Sequence, residues 1–112
     1  MDSMTPIGGA ECLQLLSSAS VGRVAFTERA LPAIRMLDYS IVGSSLVLTT
    51  ESPGLARRLD GQVVAFAVDR VDAELGTGWS VVVTGTTQLM DGAGGSGLRL
   101  HLLPGQMSGR RS

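Results

Sequence analysis

The residues best suited to chemistry fall in one stretch, TTESPGLARRL (49–59), where hydroxyls, a Pro-Gly turn and two arginines follow one another. Thr49 and Thr50 end an apolar β-like run, Ser52 and Pro53 open a helical pattern, and Arg57 and Arg58 lie on it. A strand ending in hydroxyls before a helix N-terminus offers backbone N–H donors to an anion, and a guanidinium adds charge-assisted hydrogen bonds. The same residues equally make a strand-to-helix turn capped by Ser52, with a solvated basic face. Neither a P-loop nor a GxGxxG accompanies the stretch.

Side chains elsewhere do not assemble a catalytic set. His101 is the only histidine and sits in apolar LRLHLL, where a structural role outweighs a ligand role. Cys12 lies on an apolar helical face and reads as core. Asp69, Asp72 and Glu74 form an acidic cluster that lacks the ligand-rich loop of a calcium site and reads as a solvated face. No general acid, general base or metal ligand is nominated. Any chemistry then falls to a bound cofactor, with the protein supplying position and electrostatics.

The elements that must position these residues follow from periodicity. Residues 1–9 read as a flexible end, and 10–16 (AECLQLL) as a short helix. Strands are expected over 20–27, 31–41 and 45–50, with a hairpin turn at 28–30 and a tight connection at 42–44. Residues 53–59 form the one interior helix, with Leu55 and Leu59 spaced i, i+4, ended by Gly61. QVVAFAVD (62–69) is a buried strand, 70–78 a polar connection, and 79–90 a longer strand. Residues 91–97 are too glycine-rich for a helix and read as a loop, and 98–112 supply a closing strand broken at Pro104-Gly105. Six antiparallel strands with two small helices point to a mainly β fold, a compact barrel whose closure removes exposed edges.

The totals agree. A chain of 112 residues is read as a single domain, 1–112, and 44% hydrophobic with 17% charged residues is globular. No apolar run approaches a membrane span. The lone cysteine and the absence of a leader pattern lead to a cytoplasmic expectation. A net charge of −1 and few aromatics disfavour nucleic acid as a partner.

Six segments in order carry a resemblance: ECLQLLSSASVGRVAF (11–26), LPAIRMLDY (31–39), LVLTT (46–50), VVAFAVD (63–69), GWSVVVTG (78–85) and HLLPGQMSGRR (101–111). Together they resemble the pyridoxamine 5'-phosphate oxidase-like family of FMN-binding split β-barrels, in particular its short actinobacterial-type members. The resemblance implies a six-stranded split barrel, paired as a homodimer, with flavin mononucleotide (FMN) or a deazaflavin coenzyme in clefts between subunits. It implies that Leu37, Asp38 and Tyr39 lie beside the isoalloxazine. Thr49, Thr50, Ser52, Arg57 and Arg58 would serve the ribityl-phosphate corner, and Trp79 and Ser80 would approach from another strand. Packing accounts for Leu37, Tyr39 and Trp79 as readily, and β-propensity for Thr49 and Thr50.

The chain departs from the family at instructive positions. Relatives commonly carry Arg where Thr49 stands and Lys where Leu55 stands, both serving the phosphate. Met36 occupies a position where Pro is frequent, and the connection between Met90 and Leu98 is short. The resemblance therefore implies a flavin- or deazaflavin-dependent oxidoreductase acting on a small molecule. The alternatives are a split-barrel ligand-binding module with weakened or lost flavin binding, and an interaction domain with no small ligand.

Overall fold

The computed structural model describes residues 4–90 and 97–112. The chain runs β1 (Thr5–Ile7), α1 (Gly9–Ser17), β2 (Val21–Glu28), β3 (Leu31–Val42), β4 (Ser45–Thr50), α2 (Pro53–Leu59), β5 (Val63–Asp72), β6 (Thr77–Leu89) and β7 (Leu98–Arg111). All strand pairings are antiparallel, in the order β1-β7-β4-β3-β2-β5-β6, and β6 also pairs with β7. Six strands thus close into a ring and β1 is added outside it. This mainly β architecture is consistent with the expected split barrel.

Alternation along the strands builds the core. β2 points Val24 and Phe26 inward, β5 points Val64, Phe66 and Val68, and β6 points Val81 and Val83. Leu46, Leu48, Leu100 and Leu102 complete this interior from β4 and β7. The helices plug it: α1 inserts Cys12 and Leu16, and α2 inserts Leu55, Ala56 and Leu59.

Three expectations from the sequence change. Residues 5–7, read as part of a flexible end, form β1 by pairing with Gly109–Arg111, so the ladder has seven strands. The 70–78 connection shrinks to the turn at 73–76, because β5 and β6 extend to pair Asp72 with Thr77. The expected break at Pro104-Gly105 is a bulge within one continuous β7, where Thr84 pairs with Gln106 but Gly85 with Pro104. There Gly85 is required, since a Cβ would collide with the Leu103 carbonyl oxygen. The β2–β3 hairpin turns where expected, on Arg29 and Ala30, both with positive φ. Of the expected glycine-rich loop, residues 91–96 lie outside the described residues.

Gly109 allows another close approach. A Cβ there would come within 2.6 Å of the Cys12 sulfur, so β7 can lie directly beneath α1 only because this side chain is missing. Among the described residues no helix is long and apolar enough to cross a membrane.

Candidate functional site

The β4–α2 corner is built as a capped turn. The Thr50 side chain is buried and its Oγ1 accepts from the Ser52 N–H at 3.1 Å. Ser52 Oγ in turn accepts from the Leu55 N–H at 3.2 Å, which makes Ser52 the N-cap of α2. Both hydroxyls are therefore engaged within the chain. Leu55 packs into the core, Arg58 pairs with Glu28 at 3.1 Å, and Arg57 stands exposed.

Thr49 faces away from the core, and the sheet register gives it two charged neighbours. Asp38 on β3 and Arg99 on β7 are its direct cross-strand partners. Directly opposed residues share a face, with Cβ atoms about 5 Å apart. The outward row at this corner is therefore Asp38, Thr49, Arg99. Sequence reasoning missed Arg99, because only the pairing of β4 with β7 brings it to Thr49.

Leu37 and Tyr39 point the other way. Both are buried, Tyr39 stacks edge-on against Phe66 with ring centroids 5.3 Å apart, and its hydroxyl donates to the Leu16 carbonyl. Burial pushes the phenol's pKa up, opposed by the nearby Arg70 charge, so the group remains a neutral donor. Of the expected trio beside a flavin, only Asp38 presents its side chain outside.

Trp79 lies in a different place. It is the Cα partner of Arg70 on β5 and of Arg111 on β7, giving the row Arg70–Trp79–Arg111 across three strands. The preceding row on the same face is Val68–Val81–Gly109, which is core. The inward stripe therefore changes from aliphatic to Arg-Trp-Arg at the mouth of the ring. A cleft of about 610 Å³ opens there, lined by this row with Leu15, Asp72 and Glu74 among others. Trp79 is half-buried, Arg70 Nη2 donates to the Ser18 carbonyl at 3.1 Å, and Arg111 Nη1 meets Glu11 Oε2 at 2.9 Å. Ser80 alternates to the opposite face, paired with Asp69 and Arg110.

The ten expected site residues thus divide. Asp38 and Thr49 share the outer face of one corner, with Thr50, Ser52, Arg57 and Arg58 following in the same turn and helix. Trp79 alone lines the large cleft. Arg70 and Arg111 were passed over as a polar connection and a basic end. Extending the period-two pattern of Val64, Phe66, Val68 by one step would have placed Arg70 on the inward stripe.

The remaining candidates have structural partners. Asp69 pairs with Arg23 at 2.6 Å, and Asp72 Oδ1 accepts from the N–H groups of Glu74 and Leu75, both at 3.1 Å, closing the hairpin turn. Among the described residues no group of three ligating side chains suits a metal ion. His101 lies outward between Val47 and Gln88. Cys12 is buried, and burial followed by the Glu11 charge pushes its thiol pKa up.

An apolar patch covers the outer face of β3, β2 and β5. Ile34, Ala25 and Ala65 form one cross-strand row, and Met36, Arg23 and Ala67 the next. Ile34 is 61% and Met36 72% exposed, and the alanines keep the face flat.

With the geometry in hand, comparison with known proteins is informative. The model of the pyridoxamine 5'-phosphate oxidase family matches residues 9–110. The uncharacterized protein Rv0080 of Mycobacterium tuberculosis is 41% identical over 88 residues, which cover 72% of this chain and 58% of that protein. The chain thus spans a little over half the length of this curated relative. The solved FAD-binding protein from Mycobacterium smegmatis superposes with a TM-score of 0.83 at 28% identity, covering 98% of this chain and 99% of that one. An FAD-binding protein from Mesorhizobium loti, at 19% identity, shares the fold with a TM-score of 0.82, covering 97% and 98% of the two chains.

Proposed function

The chain belongs to the pyridoxamine 5'-phosphate oxidase family, and from that premise we propose that it is a flavin-dependent oxidoreductase working as a homodimer. FMN is the first cofactor to consider. The FAD named for the M. smegmatis protein and a deazaflavin coenzyme are its alternatives. Bound flavin would supply hydride or electron transfer to a small-molecule substrate. The protein's part is to bind and orient it, and no side chain is assigned as a proton donor or acceptor.

One observation supports the reading: the candidate residues fall in two groups at opposite ends of β7, which the reading takes as half-sites. Thr49 opposes Arg99 near its start, and Trp79 opposes Arg111 at its end. Those positions are twelve residues apart, about 40 Å of extended chain. A second copy docked through the apolar face of β3, β2 and β5 is the arrangement proposed to bring one chain's Thr49 corner to the other's Trp79. The donor set suits this division, since Arg99, Thr49 and Arg57 offer an anionic tail charge and a hydroxyl while Trp79 offers a planar surface.

Titrating the purified protein with FMN, FAD and a deazaflavin while recording visible absorbance tests the reading. Micromolar binding with one flavin per protomer is expected. No binding of any of the three at high micromolar concentration sinks it. A second reading, a ligand-binding module with weakened flavin affinity, draws on the engagement of Thr50 and Ser52 in the turn and of Leu55 in the core. Binding without turnover would favour it.

A further inference from the structure

We infer that the cleft at the mouth of the ring is a recognition site for a planar aromatic anion, with Trp79 as its platform and the Arg70 and Arg111 guanidiniums on either side. It shares Trp79 with the flavin reading and adds to it the two guanidiniums and a cleft that belongs to a single chain, which needs neither a second copy nor the Thr49 corner.

The argument begins with side-chain parity. Arg70, Trp79 and Arg111 occupy the inward positions one step beyond Val68, Val81 and Gly109. Behind this row the stripe is apolar through Phe66, Val83 and Met107, and Arg70 and Arg111 take the same side of the ladder at the solvent-exposed mouth. There the stripe ends in an indole flanked by two cations. The indole is half-buried and forms part of the wall of a cleft of about 610 Å³, within the range of small-molecule sites.

Each guanidinium has donors to spare. An arginine carries five N–H donors in a planar fork. Arg70 uses one on the Ser18 carbonyl, and Arg111 engages Glu11 through one nitrogen. These ties hold both side chains beside α1 without exhausting them, so each fork can still meet a carboxylate or phosphate. A ring stacked on Trp79 lies within reach of both cations, since cross-strand neighbours are about 5 Å apart at Cβ.

The acids at the cleft lie farther out. Asp72 is two residues beyond Arg70, about 7 Å along the strand, and its Oδ1 is held by the turn N–H groups of Glu74 and Leu75. Glu74 lies beyond it in the turn. An anion over the indole is therefore nearer to the two guanidiniums than to either hairpin carboxylate. Glu11 is the one acid paired to the row itself.

Trp79 is the only tryptophan in the chain, so its fluorescence reports on this cleft. Two ligand pairs separate charge from shape: benzoate against isosteric benzamide, and FMN against riboflavin. In the unmodified protein, the anion of at least one pair is expected to change Trp79 emission at a concentration at least tenfold below its neutral partner. In the double variant R70Q/R111Q that preference falls below twofold while the neutral ligand binds as before. The double variant R70K/R111K, which keeps the charges, retains part of the preference, and E11Q, which releases Arg111, raises it two- to threefold.

A preference confined to FMN assigns the site to the flavin's own anionic part, whereas a benzoate preference assigns it to a separate aromatic acid. No preference in either pair, or one unchanged in R70Q/R111Q, overturns the inference. The two readings fail separately. Flavin absorbance that responds while Trp79 emission shows no anion preference in either pair leaves the flavin reading standing and removes this one, and a benzoate preference without flavin binding does the reverse.

Discussion

Thr49 and Arg99 stand directly opposite each other across β4 and β7, on the face turned away from the core. On the proposed reading, the pair bears on which cation would serve a ligand at the β4–α2 corner. Arg58 is engaged by Glu28, and Arg57 lies on the helix rather than in the Thr49 row. Arg99 is aligned with Thr49 by the ladder itself, so its stem is fixed where a phosphate beside Thr49 would sit.

The first prediction follows. Arg99→Gln weakens FMN binding by about 1.5–3 kcal/mol, roughly ten- to a hundredfold, as expected for a hydrogen bond to a charged group. Riboflavin, which lacks the phosphate, is unaffected. Arg58→Ala changes either affinity by less than twofold and stability by less than about 1 kcal/mol, because its ion pair is half exposed. Calorimetric titrations of both flavins against the two variants check this, and equal losses for FMN and riboflavin would refute the phosphate role.

Restoring the charges found in relatives should not work equally at both positions. Leu55 is 8% exposed and packs in the core, so Leu55→Lys desolvates an ammonium and costs about 1–3 kcal/mol in denaturant unfolding. Thr49→Arg lies on the outer face and folds normally, but it faces Arg99. The Thr49→Arg side chain stands between Asp38 and Arg99, so attraction to one and repulsion from the other offset in the free protein, and an anion at the corner gives both cations a partner. Thr49→Arg is therefore expected to tighten FMN binding and Leu55→Lys to lower the melting temperature. Unaltered unfolding of Leu55→Lys would contradict its place in the core.

What was legible in the sequence was local. The period-two runs of β2, β4 and β5 and the Ser52-Pro53 start of α2 are written in neighbouring residues, and they form where expected. What was hidden depends on contacts distant in sequence. Thr5-Pro6-Ile7 has too few residues to show a period and becomes a strand only because Gly109–Arg111 offers an edge. The turn at 28–30 is expected, but the positive φ of Arg29 and Ala30 follows from the flanking register and not from their residue types. Period-two spacing puts Arg70 on the inward stripe, but that Arg99 meets Thr49, and that Arg70 and Arg111 both neighbour Trp79, comes only from strand pairings.

Tyr39 gives a pH-dependent test. Its phenol pKa is raised in the fold by burial, with Arg70 opposing, while the unfolded value is the ordinary one near 10. The native state therefore holds its proton more tightly. The resulting stability is complete below about pH 10 and is lost as pH rises through the folded pKa, because only the unfolded chain ionises in that window. Tyr39→Phe removes one such proton and also the hydrogen bond to the Leu16 carbonyl. The variant is expected to be about 1 kcal/mol less stable at pH 7. The gap should narrow above pH 10. The Cys12 thiol, also raised by burial, titrates in both proteins and cancels in the difference. Urea unfolding from pH 7 to 11 reads the gap directly, and a constant gap across that range would rule the linkage out.

The apolar outer face tests whether two copies assemble the site. Ile34 and Met36 are exposed in the single chain and contribute nothing to its core, so replacing both with Glu should alter the stability of an isolated protomer by less than about 1 kcal/mol. A stable dimer buries about 800 Å² on each partner, centred on apolar residues, and two carboxylates within that area would each lose water without a partner. I34E/M36E is therefore expected to run as a monomer by sedimentation while keeping its far-ultraviolet spectrum. Because Thr49–Arg99 and Trp79–Arg111 lie at opposite ends of β7, the monomer keeps both half-sites and loses the composite cleft. FMN affinity should then fall by at least a hundredfold. Benzoate, if it binds beside Trp79 in one chain, should be held as before. Undiminished FMN binding by a proven monomer would show that one chain suffices.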